Sequence, residues 1–261
     1  MRGKSKPKFE PESKITCFWG TGASGATTFS LEYSRQLADA GRKTLLIDFD
    51  LLDPSLMVYF AIDNYPSGLQ AGLRLASQER LDPTNIDQLM IQSEDIDNLK
   101  IMAGMPASGR FQSIQEGSVS AMLELLRGWF DELVIDLGCV VSEVVNNDLY
   151  LLQQEVLEIS DSTLGVFRAD PDGLAKLFWL PIRGNLIANN YRPGSLGAGG
   201  KKGLRSVVAE MTGESLVDVA EEDDQLIQAI AKGLPVGALS KKSSVSHAVR
   251  GLMQNRLDAA G

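Results

Sequence analysis

The chain has 261 residues, of which 44% are apolar and 23% charged, enough for a full-sized core in one large domain or two small ones. Its 34 acids against 25 bases give a net charge of −9, which argues against a purely electrostatic nucleic-acid binder. Two cysteines and one histidine exclude a disulfide scaffold and a multi-histidine metal site. There is no apolar leader and no membrane-length apolar run, so the expected location is the cytoplasm.

Residues 1–14 carry five bases and two acids. The composition of 1–13 reads as a flexible basic tail, with 14–261 as the folded domain. KITCFW and TLLID are short apolar strands, and the helix between them, Thr28–Ala40, places Phe29, Tyr33, Leu37 and Ala40 on one face before stopping at Gly41. Strands are expected at 98–104, 132–138, 163–167 and 185–189. Helices are expected around Val119, Met122, Leu123, Leu126 and Phe130, between the strands at 163–167 and 185–189, at Gln225–Ala231 and at Val245–Leu257. This alternation implies an α/β fold, a mostly parallel sheet with helices on both faces. GSLGAGGKKG (194–203) reads as a mobile surface loop, with a basic contact through Lys201 and Lys202 as the lesser reading.

Between the first strand and first helix lies Trp19-Gly20-Thr21-Gly22-Ala23-Ser24-Gly25-Ala26-Thr27-Thr28. Backbone N–H groups in such a turn can converge on a phosphate, aided by the helix N-terminus, and the plain alternative is a tight turn without ligand. Two templates fit. Gly20, Gly22 and Gly25 match G-x-G-x-x-G, with Asp48 lying 23 residues after Gly25 as a ribose-binding acid. Gly20, Gly25 and Thr27 also match a P-loop, with Ala26 in the lysine position. Evidence elsewhere decides between them. No tyrosine has lysine four residues on, as a short-chain reductase requires, whereas Leu133-Val134-Ile135-Asp136 is an apolar strand ending in a potential Mg²⁺ carboxylate.

On these residues the chain resembles the ParA/MinD group of P-loop ATPases, whose loop reads K-G-G-x-G-K-[ST]-[ST] and whose next strand ends D-x-D. Thr21–Thr28 and Asp48-Phe49-Asp50 correspond, as do LLDPSL after the second strand and Ile230–Val236 near the C-terminus. Within the group, the W-G-x-x-G-A-x-G-x-T-T loop and Ala169-Asp170-Pro171-Asp172-Gly173-Leu174 look most like the CpaE/TadZ branch, associated with Tad-type pilus assembly and polar positioning; that branch's usual N-terminal receiver-like domain is not seen here. The resemblance implies ATP or ADP with Mg²⁺ as cofactors. It implies a nucleotide site at Gly20–Thr28 with Asn189 contacting the base. Thr27, Asp48 and Asp136 would hold Mg²⁺ directly or through water, and Asp50 would position attacking water if the protein is active. It implies a homodimer and protein partners in a polar, pilus or division assembly; DNA binding is conceivable but not indicated. An active chromosome or plasmid partitioning ATPase is the alternative, and an NAD(P)-dependent oxidoreductase a distant third.

The family's two loop lysines are absent, replaced by Thr21 and Ala26. A cation at contact distance from a phosphate is worth about 4 kcal/mol at an effective dielectric near 20, before desolvation. Transition-state cations supply roughly 10³–10⁵ in rate in related enzymes. The expectation is therefore surviving nucleotide binding, weak pairing and slow or absent hydrolysis.

Four further readings complete the expectations. Asp53 before Pro54 reads as a helix N-cap, Cys139 as a buried core thiol, and Glu221–Asp224 as helix capping and solvation rather than a metal site. The last helix, through Val245, Ala248, Val249, Leu252, Met253 and Leu257, reads as packing on the core, with peripheral membrane contact as the lesser reading.

Overall fold

Strands whose side chains are apolar on both faces must lie in the middle of a sheet covered on both sides. In the computed structural model, which describes residues 14–63, 65, 68–105, 114–141, 143, 146–180, 184–194 and 199–258, such strands form the centre of one eight-stranded sheet. The expected tail at 1–13 lies outside the described residues. In chain order the elements are β1 (Lys14–Gly20), α1 (Ala26–Asp39), β2 (Thr44–Asp48), α2 (Leu56–Tyr59), α3 (Gly68–Ser77), α4 (Pro83–Ile86), β3 (Ile91–Gln92) and β4 (Leu99–Met102). They continue with α5 (Ser118–Arg127), β5 (Glu132–Cys139), α6 (Asn147–Ile159), β6 (Ser162–Arg168), α7 (Pro171–Trp179), β7 (Asn185–Tyr191) and α8 (Gly200–Thr212). Last come β8 (Leu216–Glu221), α9 (Gln225–Ala231), α10 (Val236–Leu239) and α11 (Ser244–Asp258).

The strand order is β3-β4-β2-β5-β1-β6-β7-β8, with only the β3–β4 pair antiparallel. Alternate residues of β1 divide the core. Ile15, Cys17 and Trp19 face α3, α5 and α6, while Phe18 joins Phe29 and Tyr33 of α1 and Val245 and Val249 of α11. Insertion of β5 between β1 and β2 removes the dinucleotide reading. In a nicotinamide-type fold the first two strands are neighbours, whereas here β1 pairs with β5 and β6.

The expected α/β architecture holds, and local expectations hold unevenly. Helix α1 ends as read, with Gly41 at φ +83°, but Ala40 is exposed because the apolar face closes at Leu37 and Ala38. The segment 194–203 is not all loop: α8 starts at Gly200. Its Lys201 is tied down by Glu221, the Val219 carbonyl and the ring of Tyr191. Residues 195–198 lie outside the described residues. Asp53 does not cap α2. That helix begins at Leu56, whose N–H donates to Asp48, while the Asp53 N–H donates to Asp50. Within the acidic run, Asp223 accepts from the N–H groups of both Gln225 and Ser244, starting α9 and α11, and Glu222 pairs with Arg192. Val245, Ala248 and Val249 are buried as expected, and the Leu257 side chain lies outside the described ones. Among the described residues no helix is long and apolar enough to cross a membrane.

A fully buried glutamate ties α1 to α10. Glu32 accepts from the Gly237 N–H at 3.0 Å and from Gln36 at 2.8 Å, and it pairs with Arg35 at 2.7 Å. A Cβ at position 237 would lie 2.2 Å from the glutamate oxygen, so only glycine admits this approach. Glu32→Ala should lower unfolding free energy by about 3 kcal/mol, because it orphans a buried N–H and removes the buried one of the two carboxylates paired with Arg35. Glu32→Gln, which keeps an acceptor, should cost less. Urea denaturation of the two variants checks this order.

Candidate functional site: a glycine-rich loop over buried carboxylates

The loop 20–25 leaves the C-terminal end of β1 and turns directly into α1. Its path requires left-handed backbone at Gly22 (φ +80°), Ala23 (φ +48°) and Gly25 (φ +94°). No side chain caps α1, so its first N–H groups open toward the loop and are suited to an anion. Thr21 donates its N–H to the Val166 carbonyl of β6 at 3.3 Å, fixing the loop to the sheet.

Asn189, at the end of β7, reaches the loop from the other side. Its Nδ2 donates to the Ser24 carbonyl at 2.9 Å, and a Cβ on Gly25 would lie 2.4 Å from that nitrogen. The structure therefore spends the amide donor of Asn189 on loop backbone. Its buried Oδ1 has no hydrogen-bond partner, nor does the buried hydroxyl of Thr21. Thr21 and Ala26 are 5% and 6% exposed, so both positions that lack lysine point into this chain rather than outward. Ser24 and Thr28 are buried too, while Ala23 is exposed.

Beside the loop, the ends of β2 and β5 bring Asp48 opposite Asp136 in register. Asp48 accepts from the N–H groups of Leu56 at 3.0 Å and Asp50 at 3.3 Å, so it anchors the LLDPSL segment. Asp50 accepts from Leu52 and Asp53 through one oxygen. The other oxygen lies over Gly138, where a Cβ would come within 2.0 Å, a requirement that no spacing in the sequence signals. Asp136 takes a hydrogen bond from the Thr27 side chain and one from the Gly138 N–H at 3.4 Å, leaving buried Oδ2 without a partner.

Burial pushes the Asp136 carboxyl up to about 7; Thr27 opposes this, and the nearby charge of Asp50 adds to it. Asp48 is raised well above the usual carboxylate range, first by burial and then by Asp136. Asp50 is raised chiefly by burial.

Cys139 is half-buried rather than a core thiol, its Sγ being 3.7 Å from where a Gly22 Cβ would stand. Burial and Asp50 raise its pKa, and the charge of Lys176 on α7 opposes them. Lys176 is itself paired with Asp172 at 2.9 Å.

No three or more His, Cys, Asp or Glu side chains among the described residues converge into a metal cage. Thr27 beside the orphaned Asp136 oxygen nevertheless fits a hard cation such as Mg²⁺, which draws its remaining ligands from water and phosphate. Asp48, with its oxygens engaged by backbone, is placed to act on such an ion only through water.

No protein-family model matches the chain. It is 24% identical over 226 residues to the septum site-determining protein MinD of Escherichia coli, covering 83% of this chain and 81% of that protein. Among solved structures, a ParA family ATPase from Chlorobium tepidum superposes with a TM-score of 0.74 at 16% identity, over 92% of this chain and 96% of that one. MinD complexed with Mg-ADP from Pyrococcus horikoshii gives 0.72 at 19% identity, over 95% and 97%. MinD in the MinC:MinD complex of Aquifex aeolicus gives 0.69 at 15% identity, over 93% and 96%. The fold is therefore that of the ParA/MinD-type P-loop ATPases, and the sequence is similar to MinD along most of both chains.

Raised carboxyl groups set a pH dependence. Between about pH 4 and pH 7 folded Asp136 holds a proton that the unfolded chain releases, so its contribution to stability falls as pH rises through that window. Asp136→Asn should raise the melting temperature at pH 7.5, in the absence of nucleotide and Mg²⁺, by several degrees and change it little at pH 5. Thermal melts of both proteins at the two pH values check this; equal shifts would show that Asp136 is ionised without cost.

Proposed function

We propose that this chain is a ParA/MinD-type nucleotide-binding protein that uses Mg-ATP or Mg-ADP to position a cellular assembly, and that its ATP turnover is slow or absent. The observation that supports this most directly is a glycine-rich loop at the uncapped N-terminus of α1, adjoining Thr27 and Asp136, with no lysine or arginine from Gly20 to Thr28. In this reading backbone N–H groups bind the phosphates. Asn189 keeps the loop in shape instead of reading the base. Thr27 and Asp136 hold Mg²⁺, directly or through water, and Asp48 holds the segment that follows β2. Bound Mg²⁺ would supply the phosphate neutralisation that the missing lysines do not. Asp50 is the residue placed to orient water if turnover occurs.

The assembly could be a division septum, a segregating replicon or a polar pilus machine. The likeness to MinD and ParA supports the first two. The pilus reading rests on the Trp19–Thr28 loop and on Ala169–Leu174, and the latter has a local structural reason. Asp170 caps α7 through the Gly173 N–H at 2.8 Å, Pro171 opens the helix, and a Cβ on Gly173 would lie 2.1 Å from the Arg168 carbonyl. That stretch is therefore a weak marker of a particular partner.

A second reading, an active partitioning ATPase, is favoured by the likeness to ATPases of this fold and by the presence of Asp50, Asp136 and Thr27. Lys176, whose charge acts on Cys139 beside Gly22, would then be the candidate to stand in for a loop lysine on leaving Asp172.

Three measurements test these readings. Calorimetry should show Mg-ATP or Mg-ADP binding more tightly than NADPH, and Thr27→Ala should weaken the Mg²⁺-dependent part; tight NADPH binding with no adenine-nucleotide binding would sink the proposal. Steady-state assays should show negligible phosphate release by the wild type. Ala26→Lys should tighten nucleotide binding without restoring turnover, and light scattering should show little ATP-driven pairing, because Thr21 is turned inward. Robust wild-type hydrolysis lost in Asp50→Ala would select the second reading.

A further inference from the structure

A groove of about 450 Å³ runs along α6 beside residues 114–117, which lead into α5; it lies far along the chain from the loop residues, and the function above makes no use of it. Four carboxylates line it, from Glu116, Asp148, Glu155 and Glu158, of which Glu155 already accepts from the Ser120 N–H at 2.9 Å, and among the described residues no Lys or Arg lines it. Leu151 stands in it 56% exposed. Gln154 also lines it, 8% exposed, with its buried Nε2 lacking a hydrogen-bond partner among the described residues. A buried amide donor without an acceptor is costly unless something supplies a carbonyl. The groove thus asks for three things together: cationic side chains, an apolar side chain over Leu151, and a backbone carbonyl. A basic peptide in extended form has all three.

We propose that the occupant is the chain's own N-terminal segment, residues 1–13. Its sequence, MRGKSKPKFEPES, carries four bases, two acids and one large apolar residue, Phe9. Pro7 and Pro11 favour an extended path with solvated carbonyls available to Gln154. The attachment point lies at the right end of the groove. Asp161 accepts from the Ile15 N–H at 2.7 Å and from Arg127 at 2.9 Å, and Arg127 also donates to the Ile159 carbonyl at 3.1 Å. Segment 1–13 therefore joins the described chain beside the C-terminal ends of both helices, next to Glu158. Thirteen extended residues span roughly 43 Å, whereas the 13 residues of α6 span about 20 Å. Tethering raises the effective concentration of the segment, so individually weak ion pairs suffice. Nucleotide binding plays no part in this inference.

Zero-length carbodiimide coupling of the full-length protein, with ¹⁴N- and ¹⁵N-labelled copies mixed, tests it by mass spectrometry. Lys4, Lys6 or Lys8 should couple to Glu116, Asp148, Glu155 or Glu158 within one chain, with Lys176–Asp172, already an ion pair at 2.9 Å, as the positive control. Coupling of the N-terminal lysines should drop about tenfold at 1 M NaCl, where the screening length is near 3 Å. The surface double variant Glu116→Lys with Glu158→Lys should also lose the coupling to Asp148 and Glu155, at unchanged melting temperature. If the control pair couples while Lys4, Lys6 and Lys8 couple elsewhere, only between copies, or not at all, the proposal is overturned.

Discussion

The position of β5 between β1 and β2 is the constraint on which the site depends. It sets Asp136 against the loop that leaves β1 and directly beside Asp48 of β2. Two carboxylates buried side by side, with Asp50 close by, cannot all be ionised cheaply without a cation. The chain offers none within the loop itself. The folded protein answers with protons, holding Asp136 and Asp48 above the usual carboxylate range. A divalent cation would answer the same electrostatic demand, and to do so it would have to displace the proton that burial favours on Asp136.

The rest of the site is rigid. Thr21 is bonded to β6, Ser24 to Asn189 of β7, and Asp48 holds the start of α2. Gly25 and Gly138 leave no space for a methyl group. Such preorganisation means that an anion entering the loop would meet N–H groups already aligned, and little ordering cost would be charged against binding.

Much of this was legible in the sequence, and the reasons are local. β1, β2, β5, β6 and β7 are short runs buried on both faces, which spell themselves out as apolar blocks. Gly41 announced the end of α1 because only a left-handed residue fits there. The loop residues followed from glycine spacing. What escaped notice depends on tertiary contact. Helix α6 hides a buried polar residue, Gln153, which bonds both the Val141 N–H and the Cys139 carbonyl to shape the turn after β5. Helix α8 opens on glycines and lysines that read as loop. Asp-Pro at 53–54 reads as a cap, but Asp48 and Asp50 had already claimed the N–H groups around it. The family resemblance points Asn189 at a nucleotide base, yet its donor bonds the Ser24 carbonyl, a partner 165 residues away in sequence.

The inward turn of Thr21 and Ala26 bears on how this chain could differ from its relatives. A lysine at either position would place a charge within the protein's own loop, where it would satisfy the buried carboxylates as well as a phosphate. Without it, Asp136 keeps an oxygen unpaired and the loop keeps its N–H groups for an anion. Anion and cation sites then strengthen together, since each bound charge lowers the cost of the other. By this argument an anion at the loop and a divalent cation at Asp136 would enter as a coupled pair.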